Sequence, residues 1–260
     1  MILVAATPCT DPPPPGVLVP QGPDPAAAVA RALDVLSEDA VLVVTDDDAD
    51  RPARIADQVT ASQNVALVRL GGTTTQRALA VHGLAALAPR QYGLAQALAD
   101  ALIAACRTRV ALSSVARITS PRPSLWQHVR SLVGGSFEAD LTAGTVTTTP
   151  TMTWSTSGAG VAAWSASAST GRLHLAVEGP LAPVVVPAQG SPWGSRYWAE
   201  LTLLPDLPSV VRGALGSAAT VSCRLCGRLV ADSGCPFCRT AVSARTTSAF
   251  PIPTRERQPQ

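Results

Sequence analysis

The chain contains no lysine: all 20 of its lysine-or-arginine residues are arginine. Two readings compete. GC-rich coding favours arginine and is the simpler one. Alternatively, a protein working beside a lysine-directed acylation or conjugation system gains by offering no lysine to modify; neighbouring genes with ordinary lysine content would favour that second reading. Aromatic residues are also scarce, at 4%, so Ala, Val and Leu must fill the core. Charged residues make up 15% and hydrophobic residues 47%, which excludes a chain disordered throughout. A net charge of +2 provides no strong global field for nucleic acid or acidic membranes. Long apolar runs are missing as well. The stretches around Ala78–Ala88 and Leu94–Cys106 are broken by His82, Gln96 and Asp100 and are too short to span a bilayer. No membrane partner is expected. No basic region accompanies Met1-Ile2-Leu3-Val4, and Pro12 to Pro15 follow soon after, so no secretory signal is expected and the compartment is read as cytoplasmic.

What the chain does have is a cysteine pattern. Of its six cysteines, Cys223, Cys226, Cys235 and Cys238 are spaced C-x2-C-x8-C-x2-C. In a reducing compartment such pairs favour a metal over disulfides. Zinc takes four soft ligands in a tetrahedron, and two CxxC knuckles supply two thiolates each from tight turns. Gly227 can adopt the positive φ that turns backbone N–H groups toward sulfur, and Pro236 presets the second turn. The residues between the knuckles suffice for a short strand, Arg228 to Ala231, and a turn at Asp232-Ser233-Gly234. A redox-active dithiol pair and a rubredoxin-type iron site are the alternatives. The stretch resembles the short zinc-ribbon modules at the ends of many bacterial proteins, with their CxxCG and CPxC knuckles. That resemblance covers about twenty residues. It implies one structural zinc ion and no family function beyond metal binding. Arg239 stands where many such modules have glycine. Four protein ligands leave no open position, so zinc-catalysed hydrolysis is not expected. Cys9 and Cys106 are read as free thiols, Cys106 on a buried helix face.

The pattern along the chain predicts an α/β region of mostly parallel sheet with helices, then an antiparallel β-rich region, then the ribbon. The expected divisions are residues 1–118 (α/β), 119–135 (a helical connector), 136–217 (β-rich), 218–242 (ribbon) and 243–260 (a flexible tail). Ile2–Ala6, Ala40–Val44 and Val65–Leu70 are continuous apolar runs, as expected of strands buried on both faces, and Val110–Val115 is a weaker fourth. Asp24 and Pro25 form a helix start, followed by Val29, Leu33 and Leu36 on one helical face; Leu94, Leu98 and Leu102 mark a later helix. Ser124–Leu132, with Leu125, His128, Val129 and Leu132 on one side, predicts a helix at the junction. From Phe137 the period becomes two, predicting a meander of four to six half-buried strands over 137–205. Within it Leu173, Leu175 and Val177 mark one strand, and Tyr197, Ala199, Leu201 and Leu203 another. The Pro180–Pro192 stretch is expected at an edge or in a loop.

Two polar loops follow apolar strands. Asp46, Asp47, Asp48 and Asp50 lie where an α/β sheet binds ligands, and clustered carboxylates there could hold Mg²⁺ or act as acid/base groups. Their bland reading is one helix cap with the others in water. Gly71-Gly72-Thr73-Thr74-Thr75 could cradle a phosphate at a helix N-terminus, although it is neither a Walker A loop nor GxGxxG; its bland reading is a turn and an N-cap. His82, His128 and His174 are scattered, the first two on expected helices and His174 on the polar face of an expected strand, and read as structural. Trp154 and Trp164 read as packing residues on strands. Around the cysteines lie Arg224, Arg228, Arg239, Arg245, Arg255 and Arg257 against Asp232 and Glu256, an arginine excess that suits nucleic acid or simply offsets a cluster of about −2 charge. Phe237 is the one aromatic inside the ribbon, a thin basis for base stacking. Together these features point to a non-catalytic adaptor or assembly protein whose ribbon docks a protein partner. An enzyme or nucleotide/phosphate-binding protein built on the Asp46–Asp50 and Gly71–Thr75 loops is the alternative, and nucleic-acid binding by the ribbon and arginine tail the third reading.

Overall fold

The computed structural model describes residues 2–7, 9–20, 25–35, 41–46, 65–188, 190–217, 220–231 and 234–239. Strands β1 (Ile2–Ala5), β2 (Val17–Leu18), β3 (Val41–Asp46) and β4 (Val65–Leu70) form a parallel sheet in the order β2-β1-β3-β4. Helix α1 (Pro25–Val35) covers one face, where Val29 packs on Val4, Val41, Val43 and Val65. Helices α2 (Thr74–Leu84) and α3 (Ala95–Ala105) cover the other, over Leu3, Ala5, Leu42, Val44 and Val68. Helices on both faces leave little strand surface for water, Arg69 of β4 being an exposed exception, which is why these strands are largely apolar at consecutive positions. Leu94, Leu98 and Leu102 are all buried, as their helical spacing predicts.

The second sheet has six strands in the order β11-β9-β12-β5-β6-β7. They are β5 (Arg107–Leu112), β6 (Phe137–Asp140), β7 (Thr145–Thr148), β9 (Val161–Ala166), β11 (Val184–Val185) and β12 (Trp198–Leu204). Strands β8 (Met152–Ser155) and β10 (Leu175–Glu178) form a small parallel pair outside it. Their Met152 and Trp154, with Leu173, cover Ala111, Ala162, Ala199 and Leu201. The Trp154 and Trp164 rings meet edge to face at 6.1 Å. Helix α2 lies between the two sheets: Ala78, Leu79, Ala80, Val81 and Leu84 are fully buried. A helix enclosed on several sides has no reason to be amphipathic. Helix α4 (Leu125–Val133) leaves the sheet between β5 and β6, and α5 (Leu207–Ser217) packs against α3.

Three expectations change. The run near Val110 is not a fourth strand of the parallel sheet; β5 pairs antiparallel with β12 and β6. Exposed Arg107 and Arg109 alternate with buried Thr108 and Val110, a period that suits a sheet with one face open to water at that end. The 137–205 region is not a meander, because β8 pairs in parallel with β10 and β9 with β11. The Pro180–Pro192 stretch does supply the edge strand β11. Finally, β12 is buried on both faces rather than half-buried, since α2 covers the face that carries Glu200 and Thr202.

Candidate functional site

The four cysteines of the C-terminal motif come together. Strands β13 (Val221–Ser222) and β14 (Leu229–Val230) pair antiparallel and lead the chain into and out of the first knuckle. Both knuckles close with the same bond: the Gly227 amide donates to the Cys223 carbonyl, and the Arg239 amide to the Cys235 carbonyl, each at 2.8 Å. Gly227 has φ 70° and Arg239 φ 53°. Arg239 therefore adopts the left-handed backbone that glycine takes without a steric cost. Its departure from the usual glycine changes the strain of the turn and not its shape.

All four Sγ atoms lie within 4.8 Å of one another, and Cys226 Sγ and Cys235 Sγ are 3.6 Å apart. A tetrahedral zinc with 2.3 Å bonds needs S···S edges of about 3.8 Å, so the donor set fits a metal of that kind. Backbone N–H groups of Cys226 and then Leu225 lower the Cys223 thiol to about 6, while burial first and the neighbouring cysteines next push Cys238 up to about 12. Thiolates this close repel, and a divalent cation is what lets all four ionise together.

The ribbon's apolar side faces its own protein. Cys223, Cys235, Val230 and Phe237 are buried in the same cluster as α2, α3 and Tyr92. Gly93 forms a β-bridge to Val230. The approach is so close that a Cβ on Gly93 would fall against the Leu229 carbonyl oxygen and Val230. The Arg228 guanidinium covers the Phe237 ring, 4.5 Å from its centroid, so that ring is not a free platform for bases. Of the ribbon's large apolar side chains, Leu225 is exposed, at 73%.

The side chain of Asp46 and the residues Asp47, Asp48 and Asp50 lie outside the described residues. Gly71-Gly72-Thr73 follows β4 as a turn, with Gly72 at φ 78°. Thr73 is the N-cap of α2, in a capping box with Gln76: the Gln76 amide donates to Thr73 Oγ1 and the Thr73 amide to Gln76 Oε1. The Thr75 amide donates to Glu200 Oε1 at 2.9 Å, the Thr75 hydroxyl donates to the same oxygen, and Trp193 Nε1 donates to Glu200 Oε2 at 3.0 Å. Thr202 links this hub to Thr108 through their hydroxyls, 2.8 Å apart. A carboxylate from β12 thus occupies the helix N-terminus that a phosphate would need. Glu200 is a structural residue that alternation alone assigns to the solvent face. Its signal would be the absence of a nearby exposed partner, which a sequence does not display.

The three histidines stay apart, on α2, on α4 and, for His174, in a left-handed position (φ 45°) just before β10 rather than on its polar face. Cys9 and Cys106 are buried free thiols, and burial pushes Cys106 up to about 12.

Helix α4 is oriented opposite to an ordinary surface helix. At 100° per residue, Leu132, Leu125, Val129, Val133 and Trp126 fill one arc. That arc faces solvent: Leu125, Leu132 and Val133 are more than four-fifths exposed, Trp126 70% and Val129 53%. The opposite side holds the protein. Gln127 Nε2 donates to the Val146 carbonyl at 2.8 Å, and Ser131 Oγ accepts from the Val115 amide at 2.9 Å and pairs with Ser114 Oγ at 2.8 Å. Ser124 caps the helix, with Gln127 completing the box. The sequence marks this apolar stripe; it does not say that the stripe faces outward.

No family model matches the chain, and no curated protein does either. Among solved structures, it is similar to the crystal structure of a DegV family protein from Corynebacterium glutamicum, at 12% identity and a TM-score of 0.43, over 79% of this chain and 96% of that one. No described helix is long and apolar enough to cross a membrane.

Proposed function

We propose that the protein is a non-catalytic adaptor: a scaffold stapled at its C-terminal end by one structural zinc ion on Cys223, Cys226, Cys235 and Cys238, and docking through α4. The observation that carries this reading is the outward apolar face of α4. Five large apolar side chains on one short helix are left in water while its Gln127 and Ser131 side chains bond to the body, and an exposed apolar patch of several hundred Å² marks an interaction site. Docking therefore shifts from the ribbon, whose apolar residues are used internally, to the connector helix. The Thr75–Glu200 hub weighs against a phosphate-binding role for the Gly71–Thr75 loop. The covered Phe237 ring weighs against nucleic acid at the ribbon.

Exposed Leu225 favours one competing reading, docking through the ribbon's outer knuckle. Leu132→Glu and Leu225→Glu separate the two when a tagged full-length chain is recovered from its native cell with what it binds. Loss of association in Leu132→Glu, with retention in Leu225→Glu, is the expected result. The reverse pattern returns docking to the ribbon, and association unaffected by either change refutes an adaptor working through these surfaces.

A further inference from the structure

The base of α4 borders a second feature. A concavity of about 490 Å³ is lined by Arg130, Arg172 and Arg196 with His174, hydroxyl-bearing side chains and Tyr197, and no Asp or Glu is among its lining residues. Its cations are held deliberately close. The Arg172 and Arg196 guanidinium groups each stand 5.3 Å from the centroid of the same Tyr197 ring. Two guanidinium groups gathered at one aromatic ring make a positive site, and an anion bound there would relieve their mutual repulsion. The three arginines come from three different segments: α4, the turn before β10 and the approach to β12. His174, which follows that turn, carries one of the described non-glycine positive φ values, 45°, a backbone choice that costs free energy and recurs at binding sites.

Arg130 connects the pocket to the helix. On the helical wheel it flanks one side of the apolar arc and His128 the other, with Gln127 and Ser131 opposite. From Arg107 to Phe137 the chain carries five arginines and no acidic residue. An apolar arc with tryptophan at its margin, the Arg130 guanidinium beside it and an acid-free arginine pocket at its foot is the pattern of a helix lying in a bilayer interface.

We infer that α4 and the Arg130–Arg172–Arg196 pocket form a peripheral docking site for an anionic phospholipid surface. The apolar arc enters the boundary between headgroups and acyl chains, and the pocket receives the headgroup phosphate. This inference rests on the reading of α4 as the docking helix and names what it docks on. Charge complementarity decides the occupant. A second copy of this chain would bring arginine pockets face to face, and one helix of nine residues buries less than the roughly 1,000 Å² a stable interface needs. The net charge of +2 gives no hint of this surface because the acidic residues lie elsewhere. The expectation of no membrane partner came from that global average and from the lack of apolar runs long enough to span a bilayer, neither of which tests for a helix lying in the interface.

The test uses the full-length zinc-loaded protein and flotation with vesicles of phosphatidylcholine alone or with about one third phosphatidylglycerol, in the range where basic surfaces discriminate between them. Wild-type protein is expected to float with the anionic vesicles and not the neutral ones, and to be released by high salt. Arg172→Gln and Arg196→Gln should each weaken binding about fivefold, and Leu132→Glu should abolish it. Trp126 emission, identified by difference from Trp126→Phe, should shift to the blue on binding. Acrylamide quenching of Trp126 in the free protein separates the two levels of the argument. A quenchable Trp126 with no flotation overturns the lipid assignment and leaves the docking helix standing, whereas a shielded Trp126 overturns both. Binding of inorganic phosphate without binding of vesicles overturns the membrane assignment in favour of a free anion. A lipid-independent dimer lost in Leu132→Glu overturns it in favour of self-association, and retention of α4-dependent binding by an acidic protein in place of vesicles overturns it in favour of a protein partner.

Discussion

Glu200 is the residue whose replacement most directly tests how the two sheets are joined. It is fully buried on β12 and accepts from the Thr75 amide, the Thr75 hydroxyl and Trp193 Nε1. Hydrogen bonds to a charged group contribute about 1.5–3 kcal/mol each, and a carboxylate at a helix N-terminus adds about 0.3–2 kcal/mol. Against this stands the desolvation of a buried carboxylate, several kcal/mol. In Glu200→Gln one oxygen remains to accept, and the new NH2 group faces a donor, Thr75 or Trp193. One bond and the charge are lost, and the relief of desolvation offsets only part of that, so the net cost should be about 1–2 kcal/mol. In Glu200→Ala the buried Thr75 amide loses its acceptor and a cavity opens, for a cost of about 3–5 kcal/mol. Urea unfolding followed by far-UV circular dichroism and by tryptophan emission measures both. If Glu200→Gln is as stable as the wild type or more so, desolvation outweighs the three donors and the carboxylate is not what seats α2 on the second sheet.

The remaining predictions concern the ribbon. Elemental analysis should find one zinc per chain, and chelation should lower the unfolding temperature while leaving most far-UV signal, because β13 and β14 are two residues each; visible iron–thiolate absorbance or a metal-free protein would refute the zinc assignment. Gly93→Ala places a methyl group against the Leu229 carbonyl and should destabilise ribbon docking by about 1–3 kcal/mol. Faster amide exchange in 220–231 with unchanged exchange in β12 is the expected reading, and uniform change would mean a global effect. Arg239→Gly relieves a left-handed non-glycine residue at φ 53° and should stabilise the second knuckle by about 1 kcal/mol, seen as slower zinc transfer to a competing chelator; faster transfer would show that the arginine side chain matters more than the backbone.

The sequence by itself determined what depends on local spacing. Two CxxC pairs position four thiols whatever surrounds them, and the structure gathers Cys223, Cys226, Cys235 and Cys238 as that spacing requires. Ser124 and Thr73 cap α4 and α2 because a cap and its box partner lie three residues apart. The apolar runs Ala40–Val44 and Val65–Leu70 mark the parallel strands Val41–Asp46 and Val65–Leu70 for the same local reason. Only the tertiary structure decided which faces meet. Glu200 and Thr202 alternate with apolar neighbours as solvent-facing residues do, yet α2, more than a hundred residues earlier in the chain, covers them. The stripe on α4 reads as a core-facing side, yet bonds from Gln127 and Ser131 turn it to water. Arg130, Arg172 and Arg196 are too far apart in sequence to suggest a site, and one pocket brings them together. Periodicity reports that a face is apolar or polar; what lies opposite is set by long-range packing, which no local pattern encodes.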